Sequence, residues 1–150
     1  MKGLKKKDKE EFKLSYAYNK NESRNTFQRG GVCIHTCGAL LATTTSVGGD
    51  SKKLGRWSWF KFQGSDNVSI RVISAYVPCK NLDPRQSGSV YAQHRRYYLK
   101  QNVDSCPIEN MKSEIIREID NWVQTGEKLF FVRILMKTFI QAILSEIFGI

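Results

Sequence analysis

The stretch from Val68 to Val77 is almost entirely β-branched or small, and it is apolar at both parities. Val68, Ile70 and Val72 fall on one face of an extended chain, and Ile73, Ala75 and Val77 on the other. A strand with one side in water carries apolar residues on a single face, so this one has to be covered on both sides, as the central strand of a layered sheet. Its partner precedes it. Arg56-Trp57-Ser58-Trp59-Phe60-Lys61-Phe62 is rich in aromatics, and Gly64-Ser65-Asp66-Asn67 supplies the turn of an antiparallel hairpin.

After Pro78 the chain turns polar through Lys80, Asp83, Pro84 and Gly88, a loop able to approach a ligand. Ser89 is placed to N-cap a helix that aligns Tyr91, His94, Arg95 and Tyr98 on one face. A second helix follows Pro107, with Ile108, Met111, Ile115, Ile119 and Trp122 at helical spacing, and it ends at Gly126. Leu129-Phe130-Phe131-Val132 reads as the next buried strand. Strand, helix, helix, strand after a hairpin is the order of an α/β layered sheet rather than a helical bundle.

Toward the N-terminus the signals thin out. Residues 1 to 13 hold six lysines and three acids, which implies a solvated basic tail with ordered structure starting near Tyr16. Asn19 to Asn25 reads as a loop, Gly30-Gly31 opens a short buried strand through Val32, Cys33 and Ile34, and Val47 to Lys53 reads as an exposed turn. The expected organisation is a disordered basic tail over 1–15, an α/β domain over 16–132 and an apolar tail over 133–150.

With 41% hydrophobic and 11% aromatic residues a packed core is attainable, and disorder of the whole chain is excluded. The formal charge of +10 favours polyanions, with nucleic acid as the partner to expect, although solubility alone also accounts for such a charge. Arg56, Arg71, Arg95 and Arg96 lie near aromatics and are candidates to grip phosphates, and Lys5-Lys6-Lys7 is a candidate targeting or phosphate-binding run. No apolar stretch follows the basic N-terminus, so the four cysteines are expected reduced in an intracellular, nuclear or cytoplasmic setting, not secreted. Cys33 and Cys37 share a strand face about 13 Å apart, too far for one metal. His35 reads as a strand residue and His94 as a helix-surface or packing residue, so no metal ligands are assigned. Arg133, Lys137 and Glu146 interrupt the apolar tail, and no membrane span is expected.

Three segments carry a resemblance: Gly55-Arg56-Trp57-Ser58-Trp59, Ser74-Ala75-Tyr76-Val77-Pro78, and Ser89-Val90-Tyr91-Ala92-Gln93-His94-Arg95-Arg96-Tyr97-Tyr98. Together with Gly30-Gly31-Val32, they make Phe27 to Phe131 resemble the endonuclease/exonuclease/phosphatase superfamily, especially the divergent members of retroelements. In that family a strand ending in Ala-Tyr-x-Pro-Asn leads through a loop and a helix to a strand carrying Gly-Asp-x-Asn. Here Cys79 stands where Asn is usual. The resemblance implies a DNase I-like four-layer α/β sandwich, Mg²⁺ and phosphodiester or phosphomonoester hydrolysis, with Tyr76 as the phosphate-side tyrosine; Arg95 and Arg96 stay phosphate-binding candidates by their charge beside aromatics. It also implies an early Asn and a metal-binding Glu before the Gly-Gly strand, where residues 1 to 29 suggest no strand, and an Asp-His pair beyond residue 150. The expected product is therefore a truncated, inactive domain, with a non-catalytic nucleic-acid-binding remnant as the alternative.

Where Gly-Asp-x-Asn is due, the chain reads Val132-Arg133-Ile134-Leu135-Met136-Lys137-Thr138-Phe139. Codons allowed for Arg133 to Phe139 include AGG ATT TTA ATG AAG ACA TTT. Read from the third base, with third positions freely chosen, they spell Asp-Phe-Asn-Glu-Asp-Ile. The tail is accordingly expected to be an out-of-frame product of one lost base near Arg133.

Overall fold

The computed structural model describes residues 12–21, 30–80 and 88–133. The basic run before Phe12, most of the polar loop after Pro78 and the apolar stretch beyond Arg133 lie outside those residues. Six strands are described: β1 (Phe12–Ala17), β2 (Val32–Cys37), β3 (Thr44–Gly49), β4 (Trp57–Gln63), β5 (Ser69–Ala75) and β6 (Lys128–Arg133). The helices are α1 (Ala39–Thr43), α2 (Val90–Lys100) and α3 (Pro107–Gln124).

β4 and β5 form the hairpin, paired from Trp57↔Ala75 to Gln63↔Ser69. Their turn is a short 3₁₀ segment, Ser65–Asn67, in which Asp66 and Asn67 take φ values of 55° and 58°. These two residue types tolerate the left-handed region, so the turn closes without glycine there. β3 adds antiparallel to β4, and β6 adds parallel to β5 after the α2–α3 crossover, giving the order β3-β4-β5-β6. β1 and β2 form a separate antiparallel pair.

One face of the larger sheet packs on α3. Trp57, Ile73 and Ala75 meet Met111, Ile115, Ile119 and Trp122, all buried, with the Trp59 and Trp122 rings edge to face at 6.0 Å. α3 suits this role because its apolar residues recur every three or four positions and Pro107 occupies the first turn, where no backbone N–H is needed. On the opposite face, Phe60 and Phe62 lie under the β1–β2 pair, whose buried parity includes Ser15 and Thr36. The Ser15 hydroxyl donates to the Gly48 carbonyl at 3.0 Å. The central hairpin strands are thus covered from both sides, and the described residues make a mixed α/β fold of three layers: a two-stranded roof, a four-stranded sheet and helices. Among them no helix is long and apolar enough to cross a membrane.

Four expectations need correction. β1 covers Phe12 to Ala17 and so reaches into the stretch read as tail, because it gains a full ladder from β2. β2 is not buried: Cys33, His35 and Cys37 face solvent, and only the other parity touches the sheet below. Val47 to Gly49 belong to β3, and the turn starts at Asp50. The glycines there serve close approach, since a Cβ at Gly48 would enter the Trp59 indole and one at Gly49 would come within 2.7 Å of the Trp57 carbonyl oxygen. The fourth is β6, read as a buried strand: Leu129 and Phe131 pack on the helix-side core, but Phe130 and Val132 are exposed. α1, with neither a side-chain cap nor buried residues, has no sequence signal and was not anticipated.

Candidate functional site

Tyr76 directly follows β5. Its N–H donates to the Arg56 carbonyl at 2.8 Å and prolongs the β4–β5 ladder by one step, leaving the residue half-buried. β6 ends beside it, because Ile73 pairs with Phe131 and Ser74 with Arg133. The end of β5 that carries Tyr76 and the end of β6 are therefore neighbours in a parallel register.

Arg56, whose carbonyl accepts from Tyr76, is 0% exposed and its side chain is the centre of a charged cluster. Its Nε and Nη2 grip both oxygens of Asp50 at 2.7 and 2.5 Å, Nη2 also reaches Glu114 at 2.7 Å, and Nη1 donates to the Tyr98 hydroxyl at 3.0 Å. Lys52 completes the set at 2.7 Å from Glu114. Asp50 additionally accepts the backbone N–H groups of Lys52 and Leu54, each at 3.0 Å, so the carboxylate also closes its own loop. Two cations face two carboxylates, and the cluster is neutral. Burial pushes the Arg56 guanidinium down, but the bonded Asp50 reverses this and holds it above its ordinary value. Burial raises the Tyr98 phenol, and the Glu114 carboxylate adds to that against the opposing pull of Arg56.

Arg71 is disposed of differently. Only 5% exposed, its guanidinium lies between the rings of Trp59 and Trp122, 3.9 and 4.3 Å from their centroids. Nε and Nη2 make a two-point contact with Glu127 at 2.6 and 2.9 Å, and Lys61 reaches the same carboxylate at 2.9 Å. Burial pushes Glu127 up, but the Arg71 and Lys61 contacts outweigh it and hold the carboxyl below its usual range. Arg56 and Arg71, expected to grip phosphates, are thus buried and charge-matched within the fold.

The α2 residues divide by helix face. His94 is fully buried, and its Nε2 donates to the Leu54 carbonyl at 3.0 Å, the only polarity a carbonyl permits. Burial, with the Arg56 charge opposing protonation, brings His94 down to about 4. It is a packing residue that ties α2 to the same 54–56 segment that holds Tyr76. Arg95 is 52% exposed and stands 3.8 Å from Asp104, a loose surface pair. Arg96 is half-buried on the adjoining flank. α2 itself starts as expected, with the Ser89 hydroxyl accepting from the Ala92 N–H at 3.2 Å.

The Asp50 and Glu114 carboxylates of the Arg56 cluster do not fit Mg²⁺. Asp50 is saturated by N–H donors, Glu114 is shared by Lys52, Arg56 and Tyr98, and no cluster of three or more metal-ligating side chains occurs among the described residues. Hard cations need carboxylate oxygens with free lone pairs; those of Asp50 are all taken, and Glu114 already holds three donors, two of them cationic. The positions of Asp50, Glu114 and Glu127 were not singled out from sequence. The available signal was indirect: an arginine inside an apolar strand demands a carboxylate partner.

A cleft of about 340 Å³ opens between β1 and β3, lined in part by Tyr16, Tyr18, Lys20, Val47, Gly48 and Lys53. Tyr16 and Tyr18 stack at 5.9 Å with their planes 10° apart, and the Lys20 ammonium sits 5.6 Å above the Tyr18 ring. Compared with family models, curated proteins and solved structures, the chain matches none of them.

Proposed function

We propose that this chain is an endonuclease/exonuclease/phosphatase-type domain of retroelement origin, part of a four-layer DNase I-like sandwich, whose metal-dependent phosphodiester chemistry has lapsed. The observation that carries the reading is the parallel register of β5 and β6. Arg133, where the out-of-phase Asp-Phe-Asn begins, pairs with Ser74, two residues before Tyr76. A hydrolase of this kind needs its phosphate-side tyrosine and its carboxylate-bearing strand at one end of one sheet, and the last described residues of β6 pair beside the end of β5. The lapse is supported by the Asp50 and Glu114 carboxylates, which are taken up by Lys52 and Arg56.

Purified protein with Mg²⁺ or Mn²⁺ is expected to leave plasmid DNA, RNA and p-nitrophenyl phosphate intact. Metal-dependent cleavage abolished by Tyr76→Phe would overturn the lapse. The gene supplies an independent check, since codons across Arg133 to Phe139 incompatible with AGG ATT TTA ATG AAG ACA TT end the reading-frame account.

The Tyr16–Tyr18 stack favours a second reading, a binding module for single-stranded nucleic acid. Stacked rings offer sequence-tolerant platforms for bases, and Lys20 and Lys53 stand where a phosphate would pass. This moves the expected contact away from Arg56 and Arg71. Salt-dependent binding of an oligonucleotide, lost in Tyr16→Ala with Tyr18→Ala, is the result expected of it.

A further inference from the structure

The roof over the larger sheet stops one strand short. β1 lies over β3 and β4, and β2 over β4 and β5. Along the paired row Phe60, Val72 and Phe130, one residue from each of β4, β5 and β6, exposure rises from 0% through half-buried to 57%. Val132, the unpaired residue at the register shift between Phe131 and Arg133, is 62% exposed. The other parity of β6 behaves oppositely, since Leu129 and Phe131 pack on the helix-side core. Among the described residues, Phe130 therefore stands uncovered where a third roof strand would lie, with the exposed Val132 beside it at the register shift. The strand bordering that gap is β2, which among the described residues pairs with β1 alone and so presents an open edge of backbone donors and acceptors.

We propose that the outer edge of β2 accepts an extended polypeptide segment in trans, which adds a third strand to the roof and lays alternate apolar side chains over Phe130 and Val132. Main-chain hydrogen bonds supply affinity in such additions, and every second side chain supplies specificity. Lys128, exposed and two residues before Phe130 on the same face, together with the net charge of +10, selects a segment with an acidic residue at that end. A second folded copy joined through its own β2 does not fit. Its β5 and β6 would fall beneath the shared roof in the space these strands occupy, so the partner strand must bring no sheet under it. Six residues match the length of β2. The inference draws on layer geometry alone and stands apart from the family resemblance.

The test uses the full chain, isotope-labelled, with a synthetic peptide of alternating valine and threonine ended by glutamates; its control has a central proline. Peptide addition is expected to slow amide exchange by about tenfold or more at alternate residues of Val32–Cys37, without effect from the control. The double variant Phe130→Lys, Val132→Lys, altered only at exposed positions, is expected to abolish the effect while β4 and β5 amides keep their protection. Lys128→Glu is expected to shift preference to the same peptide ended by lysines, a readout that does not depend on the double variant folding. Absence of protection at β2 with saturating peptide overturns the proposal. So does protection at another strand edge instead of β2, or protection undiminished in the double variant.

Discussion

Arg56 and Arg71 are both buried in the same sheet, yet they are held in unlike ways. Arg56 sits in a mesh of hydrogen bonds to Asp50, Glu114 and Tyr98 that also closes the 50–56 loop. Arg71 relies on two indole faces and one carboxylate, and its Nη1 has no hydrogen-bond partner among the described residues. The difference separates two ways of hiding a charge: giving every guanidinium nitrogen a polar partner, or replacing some partners with π faces. Either way the guanidinium is structural, and a basic total says little about where phosphates can bind.

The Arg56 mesh is where the largest loss is expected. Asp50→Ala removes the main counter-charge and three loop contacts together, and denaturant unfolding should show a loss of about 3–5 kcal/mol. A loss below about 1 kcal/mol would mean the mesh is not the anchor it resembles. Trp122→Ala should cost a similar ~3–5 kcal/mol through the core cavity. A double-mutant cycle of Trp122→Ala with Arg71→Ala should expose a coupling of about 1–2 kcal/mol, and additive effects would rule out the stack.

Acid sharpens the comparison on the Arg56 side. The His94 pKa is depressed from 6.5 to about 4 in the fold, so the unfolded chain binds the proton first. Stability is full above pH 6.5, falls progressively toward pH 4 and levels off below it, a change of about 3 kcal/mol. His94→Gln should flatten that segment of the stability curve; an unchanged slope would assign it to other groups. The smallest effect belongs to the exposed pair, as Arg95→Ala should alter stability by no more than about 0.5 kcal/mol.

The hairpin and both major helices were legible because each has a period that burial enforces, such as Met111, Ile115, Ile119 and Trp122 on α3, whereas β6 was legible only as an apolar run, of which Leu129 and Phe131 are packed. The roof was far less so. β1 alternates Phe12, Leu14 and Tyr16 with Lys13 and Ser15, but its apolar parity is the exposed one and Ser15 is buried, so the pattern does not show which face meets the sheet. Tyr76 was located correctly at the strand end, whereas the burial of Arg56 and Arg71 depends on Asp50, Glu114 and Glu127, the last two far along the chain. Charge alone cannot reveal such partners. The Tyr16–Tyr18 cleft was missed for the same reason, because β3 supplies its other wall.

The parallel contact between β5 and β6 also sets a timetable. These neighbours are separated in sequence by the whole of α2 and α3, so the chain must close a long loop before the first of their hydrogen bonds forms. The hairpin of β4 and β5 can assemble early from local contacts, but its β5 edge then waits, apolar on both faces, until β6 arrives. Folding is accordingly expected to be limited by that late docking. The interval in which β5 is bare is when this chain is most prone to join the wrong strand.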